Sequence, residues 1–377
     1  MTTRFASTTS SITTTQTRAR WPLSGVVGGT LVLLMLVICL GSLPWTLAST
    51  GAGPAYATGL VEDARRSPGD GYMLGTDHLG RSLLVRCLAG GAVSLLVGLA
   101  SGILAVSIGT LYGAIAGYVG GRIDAAMMRV VDVLYGLPYV LLVVLLAVAG
   151  QAITEEYQAR TKERASWVRA EVAQRVAEAD RSATSTASSR PSRETIDRWM
   201  VVNPAERDAL EEAALVVLPP RVISERSRAA LDAATLLVAI GCVSWLTMAR
   251  VIRGQVLSLK ERPFVEAARA AGASPVRIFA RHLLPNLVGP IVVYTTLTVP
   301  QAILQESFLS FLGIGVRPPL PSWGNLAADG LAEINTFRSH WWLLAFPCVL
   351  LALTLLSLNF VGEALREAFD PRWRHRR

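Results

Sequence analysis

Most of the residue patterns that proteins use for their own chemistry are missing from this chain. It contains no GxxxxGK[ST] stretch, which excludes a phosphate-cradling P-loop, and neither HExxH nor GxSxG occurs. Four cysteines (Cys39, Cys87, Cys242, Cys348) and four histidines (His78, His282, His340, His375) are all that 377 residues provide. They are scattered, so they form neither a disulfide framework nor a zinc pattern. The sequence therefore predicts no enzyme, no metal site and no cofactor held by this chain. Charged residues make up only 17% of the sequence, against roughly 25% in soluble domains.

Apolar residues take their place. The hydrophobic fraction is 51% and the mean hydropathy is +0.42, which puts the chain in the membrane class. The net charge of +8 does not read as a nucleic-acid footprint, because the basic residues sit mainly at the ends of apolar runs. About 20 mostly apolar residues cross a bilayer, and six runs qualify: Leu23 to Leu47, Ser94 to Tyr118, Val130 to Ala149, Leu231 to Ile252, Leu287 to Leu312, and Trp341 to Val361. A backbone in lipid must bond to itself, so these are expected to be helices and the fold an all-α integral membrane protein. The first run is longer than the apolar core of a signal peptide, so it reads as an uncleaved helix despite the AYA at 55–57. Residues 1–22 read as a disordered Ser/Thr-rich tail.

Arginine and lysine place the connections. The N-terminal tail carries Arg4, Arg18 and Arg20; the 119–129 connection carries Arg122 and Arg129. The 250–282 connection carries seven basic residues, and 367–377 is a basic tail. With six alternating helices these fall on one side, which puts both termini in the cytoplasm. The long 151–228 connection, with 13 basic and 13 acidic residues, falls outside. It predicts a charged helix from Glu155 to Arg181, a Ser/Thr-rich linker over 182–192, and a second helix capped by Asn203 with Pro204 at its first position: a small helical hairpin.

Within the spans, Gly109, Gly113, Gly117 and Gly121 repeat every fourth residue and predict a stripe for close helix packing, with Gly98 and Gly102 before them. The fifth span holds Gln301, Gln305 and Glu306, polar groups that mark a candidate translocation path.

The stretch FVEAARAAGASPVRIFARHLLPN (264–286) lies between two spans. Pro263 and the alanines favour a short helix that ends at Gly272. Ser274 then caps a second helix with Pro275 in its first turn. The expected product is a stiff elbow on the cytoplasmic face, with Glu266 and the arginines available for charge-assisted contacts.

Glu266-Ala267-Ala268, then Gly272, then Leu284-Pro285 resembles the EAA loop of ABC importer permeases of the type I fold. The chain is similar to the second permease subunit of dipeptide and oligopeptide importers in LGTDHLGRSLLVR (74–86), GYVGGRIDAAMMRVVDVLYGLP (117–138), RVIRGQVLSLKERPFVEAARAAGAS (250–274) and SFLSFLGIGVRPPLPSWGNL (307–326). His282 departs from the general loop pattern, and the 151–228 excursion is longer than the family's usual outer loop. The resemblance implies a first helix with an extracytoplasmic segment over 23–87 and a permease domain over 88–366, interrupted by 151–228 and carrying a coupling loop at 253–285. It implies a bacterial plasma (inner) membrane location. The implied partners are the bilayer, a second permease subunit, two ATPase subunits that use the ATP, and an extracytoplasmic solute-binding protein. Ala267, Ala268 and Gly272 would set a close fit in the ATPase groove and Glu266 a polar contact there. Alternatives are a permease for nickel or another small solute, a membrane-anchored interaction protein working through 151–228, and a self-contained secondary transporter. The last would call for a second, matching half, which is not seen.

Overall fold

The computed structural model describes residues 22–48, 53–69, 71–183, 191–221, 225–334 and 339–369. In chain order its helices are α1 (Leu23–Gly41), α2 (Leu43–Thr46), α3 (Leu83–Val119), α4 (Gly121–Tyr135), α5 (Tyr139–Ala159), α6 (Thr161–Ala183), α7 (Arg193–Val202), α8 (Pro204–Val217), α9 (Glu225–Lys260), α10 (Pro263–Ala270), α11 (Pro275–Ile278), α12 (Leu284–Phe311), α13 (Trp323–Ala332) and α14 (Trp342–Phe369). Among the described residues there is no strand, only three isolated β-bridges. Six segments are long and apolar enough to cross a membrane, as expected. The predicted tails at 1–22 and 367–377 lie largely outside the described residues.

The third expected span is displaced. The apolar run from Val130 to Ala149 belongs to two helices, because α4 ends at Tyr135 and α5 begins at Tyr139. Pro138 offers no backbone N–H and disfavours helical backbone at Leu137, so the run breaks there. The spanning helix is Tyr139–Ala159.

The 151–228 insertion also differs from a hairpin. The spanning helix α5 continues to Ala159, and Arg160, with φ +50, turns the chain into α6. Three helices then pack on their own small core of Val168, Val172, Val176, Leu210 and Ala214, with Trp167, Ile196 and Trp199 against it. Pro204 is the first residue of α8 as predicted, but the Asn203 side chain does not cap it. Its Nδ2 donates instead to Trp199 O at 3.1 Å, closing α7. Most of the predicted linker, residues 184–190, lies outside the described residues.

Helix α3 is the hub. Gly98 and Gly102 receive Ile303 and Val299 of α12. Gly109, Gly113 and Gly117 receive Trp245, Met248, Ala249, Arg253 and Val256 of α9. A Cβ on Gly113 would fall inside contact distance of the Ala249 carbonyl oxygen and within 3.0 Å of Arg253 N. Gly121 does not belong to this stripe. A Cβ there would meet nothing within 4 Å, and its φ of +61 starts α4 after the turn at Gly120. Helix α1 packs on the other side, with Gly25 and Gly28 against Ala364, Phe360 and Ser357 of α14.

Candidate functional site

The elbow after α9 is built in two layers. Val265, Ile278, Leu283 and Leu287 are buried against Met248, Ile252 and Val256 of α9, with Ala268 and Ala273 half-buried on the same core. Glu266, Ala267, Gly272, Ser274 and Pro275 are exposed on the opposite layer. Of the small residues expected to meet a partner, Ala267 and Gly272 are therefore free, whereas Ala268 faces inward.

Gly272 has φ +74. Its N–H donates to Arg269 O at 2.9 Å and the Ala273 N–H to Ala268 O at 3.0 Å. That pair of bonds is a Schellman stop, which needs the left-handed residue that glycine supplies. Ser274 caps α11 by accepting from Arg277 N at 3.4 Å. A π-turn at Phe279–Leu283 then leads into α12. The elbow is thus stiff, anchored on one face and bare on the other. Among the described residues nothing engages the Glu266 carboxylate.

A cavity of about 510 Å³ opens between α4, α5, α9 and α12. Tyr135, Tyr139, Ser244, Thr247, Tyr294, Thr298, Gln301 and Gln305 supply its polar lining, and no charged side chain lines it. The Tyr139 hydroxyl donates to Gln305 Oε1 at 2.6 Å and lies 2.8 Å from Ser244 Oγ. Having spent its one proton on Gln305, Tyr139 accepts from Ser244. These groups present both donors and acceptors with no fixed charge, which suits amides and hydroxyls and gives no grip on a single sign of charge.

The family model for binding-protein-dependent transport system inner membrane components matches residues 109–375. The chain belongs to this family. It is 35% identical over 81% of its length to the dipeptide transport system permease protein DppC of Bacillus subtilis, covering 71% of that protein. It is 34% identical over 92% of its length to the oligopeptide transport system permease protein OppC of Haemophilus influenzae, covering 84%. The Escherichia coli OppC is 37% identical over 80% of this chain, with 73% of the relative covered. The chain is a membrane transport component and not an enzyme.

Of the three polar residues expected on this permease's path, Gln301 and Gln305 line the cavity and Glu306 does not. Glu306 is fully buried on the other side of α12. Ser310 Oγ donates to Glu306 Oε1 at 2.8 Å and Ser307 Oγ to Oε2 at 3.3 Å. The hydroxyls of Ser94 of α3 and Ser322, the N-cap of α13, face this carboxylate from other elements. Backbone N–H groups of Val316, Trp323 and Asn325 already donate to Ser310, Ser94 and Ser322. The hydroxyl protons are thereby left for the carboxylate. Glu306 is a clasp that joins α3, α12 and the start of α13.

The stretch 74–86 has a structural role that sequence reasoning missed. Asp77 Oδ1 accepts from Leu79 N and Arg81 N at 2.9 Å. Its Oδ2 accepts from Arg81 Nε at 2.7 Å and Arg86 Nη1 at 2.6 Å. Burial alone would raise the Asp77 pKa, but Arg86 and Arg81 outweigh it and hold the carboxyl below its ordinary range. Nearby, Arg65 grips Glu333 through two bonds of 2.7 and 2.9 Å, and this hydrogen bonding holds Glu333 low in turn. The Asp77 pairs fasten the segment before α3 to the start of that helix, and Arg65–Glu333 ties it to the end of α13. Tyr139 was also missed, hidden by its place in an apolar run. Among the described residues no three metal-binding side chains gather.

Proposed function

We propose that this chain is one of two permease subunits of an ATP-driven importer of dipeptides or oligopeptides in a bacterial inner membrane. Both termini and the 263–285 elbow lie in the cytoplasm, and the 61–79 segment and the insertion lie outside. The positive-inside distribution supports this orientation. The elbow seats in a groove of an ATPase subunit, which binds the ATP; a second permease and an external solute-binding protein complete the machine. Glu266, Ala267, Gly272, Ser274 and Pro275 form the contact surface, and Gln301 and Gln305 belong to the path.

The observation that carries this reading is the elbow itself: anchored by Val265 and Ile278, exposed along Glu266–Ala267, and stopped at Gly272. The uncharged cavity favours a peptide over a nickel ion. A wall without carboxylate, imidazole or thiol holds no metal, while its amides and hydroxyls match a peptide backbone. In proteoliposomes holding the full transporter, Gly272→Arg and Glu266→Lys are expected to leave ATP hydrolysis running while uptake of labelled peptide falls. Unchanged uptake in both variants would sink the proposal.

A further inference from the structure

Helix α4 has no part in the function as stated beyond lining the cavity, yet it joins the two places that matter. Its acids face two arginines of α9. Arg253 donates to Asp124 through Nε at 2.5 Å and Nη2 at 2.7 Å. Arg250 Nη2 donates to Asp132 Oδ1 at 2.7 Å, and its guanidinium lies 4.2 Å from the centre of the Tyr135 ring. Packing alone holds α4 poorly: Ile123, Val130, Val133 and Tyr135 are exposed, and only Asp124 and Val131 are buried.

The ion pairs are the polar contacts that hold α4 to α9, while Tyr112 of α3 donates to Met127 O of α4 at 2.9 Å. The bidentate pair is the stronger one, since Asp124 is only 7% exposed. Hydrogen bonds from Arg253 hold the Asp124 carboxyl below its ordinary range, against the effect of burial, with the Arg253 and Lys260 charges adding to them. The Asp132 side chain is 61% exposed, and its pair with Arg250 is correspondingly weaker.

At one end, α9 runs from Arg253 through Lys260 into the elbow at Pro263. At the other end, Leu134 and Tyr135 of α4 line the cavity, and beyond Pro138 the Tyr139 hydroxyl bonds Gln305 and Ser244. None of the four charged residues lines the cavity.

We infer that α4 is a tie rod: the Asp124–Arg253 and Asp132–Arg250 pairs make it travel with α9, so that a push on the 263–285 elbow reaches the cavity wall at Leu134–Tyr139. The four are positioning residues. The inference rests on the importer reading, and its test separates the two.

The assembled transporter is reconstituted in proteoliposomes, and ATP hydrolysis and peptide uptake are measured together. Asp124→Asn lowers uptake about fivefold and ATP hydrolysis by less, so more ATP is spent per peptide. Asp124→Arg loses more, and the swap of Asp124→Arg with Arg253→Asp restores uptake to at least about half. A parallel loss of uptake and hydrolysis with no recovery in the swap would assign the pair to folding alone and overturn the inference. So would wild-type coupling in Asp124→Asn.

A second measurement replaces one ion pair by a covalent link, with the unlinked double-cysteine protein as the baseline. With the exposed Cys242 and Cys348 changed to serine, Asp132→Cys and Arg250→Cys are joined by a bismaleimide. Two helices that move as one body tolerate the link, so uptake continues. Arrest of uptake would mean that α4 slides on α9, and the tie rod would be wrong. If the wild-type assembly shows no ATP-driven uptake at all, the importer reading fails instead.

Discussion

Gly113→Ala puts one methyl group where α3 and α9 touch. A Cβ at Gly113 would sit well inside contact distance of the Ala249 carbonyl oxygen, and 3.0 Å from Ala249 C and Arg253 N. All three atoms are backbone, so no side chain can rotate out of the way. Restoring an ordinary contact of ~3.5 Å requires the helices to part by about 1 Å. Overpacking of this kind costs about 1–3 kcal/mol, and the backbone obstacle places it at the upper end. The same substitution at Gly254 of α9 has the opposite sign. A Cβ there meets nothing within 4 Å, and removing a mid-helix glycine gains about 0.5–1 kcal/mol. Heating the detergent-solubilised chain and following loss of the folded fraction should therefore rank Gly113→Ala below wild type and Gly254→Ala at or above it. The reasoning is refuted if both variants shift together, or if Gly113→Ala melts no earlier than wild type. Gly121→Ala is a third case, since its cost comes from φ +61 rather than from packing, at about 1 kcal/mol.

Three further outcomes are expected. Glu306→Ala leaves serine hydroxyls facing a buried void, at about 1–3 kcal/mol, and should lower the amount of folded chain in membranes more than Glu306→Gln; equal levels of all three proteins would contradict the clasp. Excising 161–218 and closing the gap with a short Gly/Ser turn should preserve ATP-driven uptake, because Arg221 N–H already donates to Gln158 O at 2.8 Å and the insertion has its own core; abolished uptake would favour the interaction-protein reading. Asp77 and Glu333 are both held below their ordinary values of 3.8 and 4.5. Groups shifted this way contribute stability that is present above the ordinary value and lost as pH falls through the lower folded one. The melting temperature should therefore be flat from pH 7 to pH 5 as far as these two groups govern it, and fall below pH 4; a drop already complete at pH 5 would contradict the assignment.

The six spans were legible because lipid leaves few choices. A long apolar run must be helical, and 3.6-residue periodicity does not need to be read. The third span was misplaced for a local reason: composition alone carries Val130–Ala149 as one run, and only the backbone chemistry of Pro138 divides it. Three of the four striped glycines meet α9, while Gly121 does not, because the chain turns at Gly120 before the fourth repeat is reached. The site was half legible. Ser274 and Gly272 act within a few residues of themselves, and local chemistry specifies them. Glu306 depends on which way α12 is rotated and on Ser94 and Ser322, which are brought to it from other elements. The Arg253–Asp124 pair needs the register between two helices, which neither helix encodes alone.

On the proposed reading the elbow receives force from an ATPase subunit, and such a loop must meet two opposed demands. It has to stay exposed enough to be gripped, and it has to be fixed firmly enough to pass the movement on. The elbow satisfies both by dividing its residues between two layers. Val265, Ile278 and Leu283 are buried on α9, while Glu266, Ala267 and Gly272 stay bare. Beneath it, Gly113 and Gly117 bring α9 against α3, and Arg253 and Arg250 hold α4. On the tie-rod inference, a displacement at the elbow would move α9, α3 and α4 together. The first compliant points are the Gly136–Pro138 break and the uncharged hydrogen bonds of Tyr139. Compliance placed at the cavity, with stiffness between it and the elbow, would on that inference turn a distant push into a change in the cavity's shape.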